Sequence, residues 1–291
     1  MNLSRFEGKK MRKHDHSTAF GLICGAMVIA ISAIWGKKDI RSALLLFYDV
    51  PSIFIVLGGS LCAIVVAFQW DTIKSVPSIL KNAFLDKQLP KKKTIELFVE
   101  MSKQARRTGI LSLENNLEKI TDKYTKSGIM LVIDGTNEET IRRIKTLEID
   151  NTIERHKKCI QLFRLWANLA PSFGMLGTFM GLIQMMGNFQ DMSKFSAAFA
   201  TVLVTSFYGV ILANLVFSPL ANKLDIKNSE EINRMQMVLE GIIGIQTGIS
   251  PRIMEDNLKA FLSPSEKLGY ELVDIKNLKS RGDEKVKNHV A

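Results

Sequence analysis

The stretch LWANLAPSFGMLGTFMGLIQMMGNFQ, residues 165–190, runs for 26 positions without a charged side chain. An α-helix rises about 1.5 Å per residue, so roughly 20 apolar residues cross the hydrocarbon layer of a membrane. Three other stretches reach that length without a charge: 17–36, 50–70 and 195–222. The sequence therefore predicts an all-α integral membrane protein with four transmembrane helices, at 17–35, 52–68, 165–186 and 196–219.

Averages over the whole chain conceal this division. Of the 291 residues 46% are hydrophobic and 23% are charged, and the mean hydropathy is +0.09, values that an ordinary soluble protein also has. The charges are distributed in blocks, and this excludes a simple soluble globule. The first apolar stretch is not followed by a convincing small-residue cleavage site, so we interpret it as a retained span and not as a signal peptide.

Cysteine and histidine usage gives no sign of a disulfide framework, a metal site or a catalytic centre. Cys24, Cys62 and Cys159 are odd in number, and two of them lie inside predicted spans, so we expect them to be small packing residues. The four histidines lie outside the spans, and no nucleophile–base constellation or phosphate-binding loop is present. We predict no enzyme activity, no cofactor and no bound metal.

Loop lengths and basic residues orient the chain. With four crossings, the N-terminal segment 1–16, the long loop 69–164 and the C-terminal part must share one side of the membrane. Apart from Arg164 at the boundary of the third span, that side carries 34 of the 39 Lys+Arg, whereas the short loops 36–51 and 187–195 carry 3 and 1. Basic residues flank spans mainly on the cytoplasmic side. We therefore predict that the large loop and both termini are cytoplasmic, and the net charge of +10 then faces anionic lipid and not nucleic acid.

The large cytoplasmic loop is predicted to be mostly helical. Apolar side chains follow a helical period over 94–107 and over 110–120, and Gly109 separates the two. A further helix is expected to begin at Asn137 and to run into the third span without a break before Pro171.

The C-terminal part is predicted to have two regions. Residues 220–264 form a cytoplasmic helical region with one long helix over 221–245. Residues 265–291 are polar and rich in Lys and Asn, which predicts a flexible tail.

No span interior contains a charged residue, although such a residue is typical of an ion or proton route. A proton carrier of the carboxylate kind therefore has to come from another polypeptide. Polar side chains instead collect in the third and fourth spans: Asn168, Ser172, Thr178, Gln184, Thr201, Thr205, Ser206, Tyr208 and Asn214. They suit hydrogen bonds between helices, and their concentration in one pair of spans also suits a lined pathway.

Small residues and prolines mark the same two spans. Gly174, Gly177 and Gly181 form a ridge at i, i+3 and i+7 that allows another helix to approach closely. Pro171 and Pro219 each free a backbone carbonyl, which indicates either a simple kink or a gate.

Four stretches carry a family resemblance: DVPSIFIVLGG (49–59), APSFGMLGTFMGLIQMM (170–186), AAFATVLVTSFYGVILANLVFSPLANKL (197–224) and GISPRIMEDNLKAFLSP (248–264). In sequence, order and spacing they resemble the MotA/PomA family, the A subunit of the bacterial flagellar stator. The resemblance covers residues 17–264.

The resemblance implies an assembly in the inner membrane in which the chain does not act alone. In this family five A subunits surround two copies of a MotB/PomB-type B subunit (A5B2), whose single transmembrane helix supplies an ion-carrying Asp. Ion passage between the A and B subunits is thought to step the ring of A subunits around B and so to drive the rotor. Five residues of this chain match positions of the ion pathway: Pro171, Thr178, Thr205, Ser206 and Pro219. At Ser206 the family more usually has Thr.

The resemblance also implies a contact with the flagellar rotor switch protein FliG. In QARRTGILSLENNLE, residues Arg106, Arg107 and Glu114 align with the family's charged residues that act on the rotor. Related sequences often have further acids after the first Glu, where this chain has Asn115 and Asn116. Without the resemblance, these charges would be interpreted as an ordinary solvated surface.

The coupling ion is the remaining question. Thr178 matches a position that tends to be Thr in sodium-driven members and Ala in many proton-driven ones, which favours Na+ over H+. An oxygen ligand there suits a hard cation that sheds water. The alternative function is an ion-driven energiser of envelope transport or maintenance, similar to ExbB and TolQ. Those proteins usually have three spans and lack the rotor-type segment.

Overall fold

The fold is taken from a computed structural model, which describes residues 13–14, 16–35, 39–86 and 90–270. Residues 271–291 of the predicted tail lie outside the described residues, as do nearly all of the predicted segment 1–16 and positions 36–38 of the first predicted loop. The helices in chain order are α1 (His16–Ile34), α2 (Ile40–Leu45), α3 (Val50–Ile53), α4 (Gly59–Ala67), α5 (Trp70–Phe84), α6 (Lys91–Thr108), α7 (Lys123–Ile133), α8 (Glu138–Gly187), α9 (Met192–Ile211), α10 (Ser218–Gln246) and α11 (Pro251–Lys259).

Three further segments are π or 3-10 helices and not α-helices. The described residues also include two very short strands. A π-helical stretch, Phe54–Gly58, joins α3 to α4, and a second one, Leu212–Phe217, joins α9 to α10. A 3-10 helix covers Ile110–Lys119. The strands β1 (Lys13–His14) and β2 (Leu85–Asp86) pair antiparallel. The all-α prediction is therefore confirmed in all but this strand pair.

Three helical runs are long and apolar enough to cross a membrane: Val50–Ala67, Glu138–Gly187 and Met192–Gln246. They contain nearly all of the predicted second span and the whole of the third and fourth. The first predicted span coincides with α1, whose apolar part, Phe20–Ile34, is shorter than the other three. The count of four spans stays a prediction.

The chain divides into two compact units, which are described separately. The span unit comprises Arg12–Lys87 and Ile153–Asn228. The loop unit comprises Met1–Met11, Gln88–Thr152 and Ser229–Ala291. The span unit holds the apolar helices, and the loop unit holds the described part of the predicted cytoplasmic helices from α6 onward.

The core of the span unit is organised around a stacked pair of aromatic rings. Trp166 stacks on the buried Phe217 with ring centroids 4.3 Å apart, and Val56 and Ile64 are buried in the same cluster. The indole Nε1 of Trp166 donates a hydrogen bond of 3.0 Å to the hydroxyl of Ser60. The polar edge of this partly buried ring is therefore satisfied, as an apolar environment requires.

The helices α8 and α9 approach each other at glycines, as the predicted ridge indicated. A Cβ placed on Gly174 would lie 3.0 Å from the carbonyl oxygen of Thr205, and one on Gly209 would lie 2.8 Å from that of Ala170. On Gly177 the added carbon would meet the side chain of Thr205 at 2.6 Å. Only a residue without a side chain allows backbones to come this close.

The second π-helical stretch stands immediately before Pro219. Proline has no N–H to donate, and its ring crowds the carbonyl four residues earlier, here that of Leu215. A π turn is wider than an α turn and occurs as a local insertion in α-helices. We infer that the stretch Leu212–Phe217 accommodates Pro219, so the chain continues as α10 without a stop.

In the loop unit, α6 packs with the face that its periodicity predicts. Ile95, Phe98 and Ser102 are buried, and the ring of Phe98 lies against Gly241, where an added Cβ would meet it at 2.6 Å. The predicted break at Gly109 is confirmed, because this residue has φ +87, a conformation that favours glycine.

The predicted start of α8 is also confirmed. The side-chain oxygen of Asn137 accepts a hydrogen bond of 2.8 Å from the backbone N–H of Thr140, and Glu138 and Glu139 occupy the first turn. Acids suit the positive end of a helix. From there α8 runs for 50 residues, through Pro171, as one uninterrupted helix.

The end of the described chain is held on α6. Residues 264–270, most of which belong to the predicted flexible tail, are helical. Glu266 accepts a 2.8 Å hydrogen bond from the backbone N–H of Ser263, which lowers the pKa of its carboxyl group, and lies 3.4 Å from Lys91 Nζ. The ring of Tyr270 is buried, with Lys92 Nζ 5.1 Å and Lys259 Nζ 4.6 Å from its centroid.

The glycine contact between α8 and α9 predicts the effect of adding one methyl group. Gly209→Ala should destabilise the protein by about 1–3 kcal/mol, because the new carbon meets backbone atoms that cannot rotate away. The measurement is the midpoint of thermal unfolding in detergent. Gly21→Ala is the matched control, since nothing lies within 4 Å of its added carbon. Equal midpoints for the two variants would contradict the close approach.

Candidate functional site

Two hydroxyl groups meet between α8 and α9 in the span unit. The Oγ1 of Thr178 and the Oγ of Ser206 are 2.6 Å apart, a hydrogen bond in which either can donate. Thr178 also lies 3.0 Å from the carbonyl oxygen of Gly174, and Ser206 lies 3.4 Å from that of Val202. The structure thus brings together two of the five predicted pathway residues, and adds two carbonyl oxygens to them.

Thr205, the neighbour of Ser206, has a different environment. It is fully buried, and its hydroxyl donates to the carbonyl of Thr201 at 2.7 Å. Its methyl-bearing side chain fills the space left by Gly177 on α8. Thr205 is therefore a packing residue in this chain, with its donor already used.

The two prolines lie at different distances from the hydroxyl pair. Pro171 is two turns before Thr178 on α8, about 10 Å along the axis, and its Cα would lie 3.0 Å from a Cβ on Gly209. Pro219 follows Ser206 by 13 residues, which amounts to about 20 Å of helix. Pro171 therefore lies in the interface of α8 and α9 near the hydroxyl pair, whereas Pro219 follows the π-helical stretch Leu212–Phe217.

The chemistry of the hydroxyl pair is that of neutral oxygen. A hydroxyl has one donor and two acceptor sites, so two bonded hydroxyls keep lone pairs for a further partner. Oxygen ligands of this kind suit a hard cation. Within the described residues, the structure shows no group of three or more His, Cys, Asp or Glu that could hold a metal ion. The site can line a path, but it brings no titratable carboxyl group.

A second candidate site lies in the loop unit, at the turn between α6 and the 3-10 helix. We call residues 106–119, which the family resemblance predicts to contact the rotor, the rotor segment. Arg106 and Arg107 are exposed in the last turn of α6, where basic side chains suit the negative helix end. Glu114 is exposed on the 3-10 helix. The segment therefore presents both signs of charge to solvent.

Hydrogen bonds fix this segment on α6. The side-chain nitrogen of Gln104 donates to the carbonyl of Ser112 at 2.8 Å, and its oxygen accepts from Asn116 at 2.6 Å. Leu113 is fully buried between these bonds. The exposed charges consequently stand on a fixed turn, which lowers the entropy cost of a contact.

The two asparagines differ in position. Asn115 is exposed, whereas Asn116 is buried and holds Gln104. A side chain at 116 is therefore part of the anchor of the segment and not of its outer surface. Sequence reasoning missed the roles of Gln104 and Asn116, because a pair 12 residues apart across a glycine turn follows no helical spacing.

Comparison with known proteins agrees with this architecture. Residues 116–237 match the MotA/TolQ/ExbB proton channel family. Motility protein A of Borreliella burgdorferi is 41% identical over 221 residues, which cover 76% of this chain and 85% of that protein. Chemotaxis protein PomA of Vibrio alginolyticus is 32% identical, with 87% and 97% covered. The flagellar MotAB stator complex from Bacillus subtilis superposes with a TM-score of 0.81 at 27% identity, covering 88% of this chain and 99% of that one.

The apolar helices and the matched family define the class: a multi-pass membrane protein of an ion-channel family, and not an enzyme. Within that class, the chain belongs to the motility protein A family of flagellar stator subunits. The predicted resemblance is confirmed. Because relatives of this branch match over most of their length, the alternative similarity to ExbB and TolQ is the weaker of the two.

The anchor of the rotor segment predicts a difference between neighbouring asparagines. Asn116→Ala should loosen residues 110–119, at a cost of about 1 kcal/mol, because it leaves the half-buried Gln104 oxygen without its donor. Hydrogen exchange of the backbone amides of 110–119 measures this loosening as faster exchange. Asn115→Ala, which changes an exposed side chain of the same size, should exchange like the unmodified protein. The anchor is refuted if both variants exchange alike.

Proposed function

We propose that this chain is the A subunit of a flagellar stator that passes cations along α8 and α9 and converts their flow into torque on the rotor. The observation that carries the proposal is the Thr178–Ser206 hydroxyl pair in apolar helices whose spans contain no charged residue. Such a chain can line a path for an ion but needs a carboxylate from elsewhere. The similar structure from Bacillus subtilis is a MotAB stator complex, which supports a MotB-type partner here.

The residues of the pathway have different tasks in this proposal. Thr178 and Ser206 supply oxygen atoms to the passing ion. Thr205 keeps α8 and α9 packed through Gly177, and so keeps the pair in place. Pro171 and Pro219 are places where a helix can change its path, because each leaves a backbone carbonyl without its usual donor.

The missing carboxylate calls for a partner that supplies one, and the stoichiometry of the assembly is what the family resemblance implies. Five copies of this chain surround two B subunits, and the transmembrane Asp of a B subunit carries the ion past the hydroxyl pair. Both termini and the large loop face the cytoplasm, and the complex lies in the inner membrane. Exposed large apolar side chains on the span helices, among them Phe179, Ile183 and Leu203, suit such lipid or subunit contacts.

The rotor segment makes the contact with the rotor switch protein FliG. Arg106 and Arg107 face acidic groups of that partner, and Glu114 faces a basic one. Charged residues at the edge of an interface steer a partner and select its orientation more than they add affinity. This suits a contact that must form and release repeatedly.

Sodium is the favoured coupling ion, and its role predicts a measurable dependence. Replacing Na+ by K+ at constant pH should slow swimming steeply, because the hydroxyl oxygens stand in for water around a hard cation. Thr178→Ala should weaken the dependence of speed on Na+ concentration. Ser172→Ala is the control, since its exposed hydroxyl donates to the carbonyl of Asn168 on its own helix. Unchanged speed without Na+ would leave the proton as the coupling ion.

Charge reversal tests the rotor contact. Arg106→Glu should abolish or strongly reduce motility by placing like charges across the contact. The variant should still co-purify with its B partner and still conduct ions, because Arg106 is exposed and outside the spans. A compensating reversal on FliG should restore part of the motility.

The matched control for this reversal is Lys103→Glu, an exposed basic residue of the same helix one turn earlier. Its motility should stay close to that of the unmodified protein. Normal swimming of the Arg106→Glu variant would show that the rotor contact lies elsewhere.

A further inference from the structure

Lys145, on α8 in the loop unit, is completely buried, with 0% of its surface exposed. Lysine is rarely enclosed in this way, because removing an ammonium group from water is costly unless it is paired and hydrogen-bonded. Among the residues that the structure describes, it is the one charged residue that is buried. The position therefore holds a group that a simple apolar core would not contain.

All three donors of the ammonium group have partners. Its Nζ lies 2.5 Å from the hydroxyl of Ser127, 2.9 Å from a carboxylate oxygen of Glu148 and 3.2 Å from the backbone carbonyl of Tyr124. It also lies 4.5 Å from the centroid of the Tyr124 ring, within range of a cation–π contact. Each of the three N–H groups of the ammonium group therefore has an acceptor, and one of the acceptors is negatively charged.

These bonds join α8 to α7. Tyr124 and Ser127 lie on α7, and in the opposite direction the Tyr124 hydroxyl donates to the backbone carbonyl of Lys145 at 3.4 Å. Burial, with smaller contributions from the carboxylates of Glu148 and Asp122, raises the pKa of Tyr124. The hydroxyl therefore remains protonated, and the reciprocal bond persists across the physiological range of pH.

The hydrogen bonds between Lys145 and α7 form where α7 is closely packed. A Cβ on Gly128 would overlap the side chain of Ile242 on α10 and would lie 3.3 Å from Cε of Lys145. The start of α7 is fixed as well, because the carboxylate of Asp122 accepts a hydrogen bond of 3.1 Å from the backbone N–H of Thr125. Three residues, 120–122, separate the end of the rotor segment from α7, and Ile120 among them is buried. The 3-10 helix of the rotor segment packs on both α6 and α7, so the placement of α7 influences the placement of Ile110–Lys119.

We propose that Lys145 is a positioning residue. It fixes the position of α7 along α8, and through α7 it sets the orientation of the rotor segment. The proposal rests on the proposed function, since it concerns the same contact with the rotor. A buried ionic tie contributes more to a unique arrangement than to stability, because the cost of burying the charge offsets much of its attraction.

Lys145→Met separates this role from a merely structural one. Methionine has a similar length without a charge, and Glu148 keeps access to water, so the complex should still accumulate in the membrane. The thermal midpoint should fall, because the Ser127 hydroxyl and the Tyr124 carbonyl lose their donor. Ion conduction by the complex with its B subunit should also persist. Torque at high load, measured from a bead rotated by a single motor, should fall several-fold, because α7 loses its register while the fold remains.

The control is Arg143→Met, which removes an exposed basic residue from the same helix two positions away. It should leave torque at high load unchanged. Full torque in the Lys145→Met variant would overturn the proposal. If Lys145→Met does not accumulate in the membrane, Glu148→Ala decides in its place, because Glu148 is partly exposed and its loss removes one partner of the ammonium group. Full torque in that variant is then the contradicting result.

The outcomes also separate this proposal from the proposed function. Loss of torque in Arg106→Glu together with full torque in Lys145→Met retains the rotor contact and removes only the positioning role. Full torque in both variants, in a complex that conducts ions, removes the rotor contact itself. Loss in both, with the Arg143→Met control intact, supports the two proposals together.

Discussion

The close approach of α8 and α9 is the interaction on which the span unit depends. At Gly174 and Gly209 the backbones come so near that a single added carbon would meet a carbonyl oxygen at 3.0 Å or less. Between apolar helices in lipid there is little hydrophobic drive for association, so packing of this kind and hydrogen bonds hold them together. The hydroxyls of Thr178 and Ser206 can reach each other only because the glycines bring the two helices to this distance.

The same helices obey the rule that polar groups in an apolar environment need partners. Each hydroxyl of the pair also lies near a carbonyl one turn back on its own helix: Gly174 for Thr178 and Val202 for Ser206. Thr205 follows the same pattern with Thr201. A helix offers such a carbonyl oxygen wherever Ser or Thr occurs. A row of hydroxyl groups can therefore be satisfied between these helices without a charged side chain. The contrast with Lys145 is informative, because that ammonium group is buried only where a carboxylate, a hydroxyl, a carbonyl and an aromatic ring surround it.

Much of this architecture is predictable from the chain, and the exceptions have physical reasons. Absence of charge over 165–190 and 195–222 locates the long helices, and Asn137 and Gly109 mark a start and a break that the structure has. The Gln104–Asn116 bond and the Lys145 tie were not predictable, because they join elements through a turn or across a hairpin and leave no periodic pattern. Local spacing reports which face of a helix is apolar, and it does not report which polar side chain will be enclosed.

The distribution of charge then assigns separate tasks to separate parts of the sequence. Within the spans the chain offers hydroxyl groups that can accompany a cation, and no carboxylate. In the loop unit it offers fixed charges on the rotor segment, held by Gln104 and Asn116 on one side and by α7 on the other. A carboxylate in a span would let the chain relay protons without a partner. Because it has none, the proposed function requires a partner that supplies one, and the similarity to a MotAB stator complex supports a MotB-type partner.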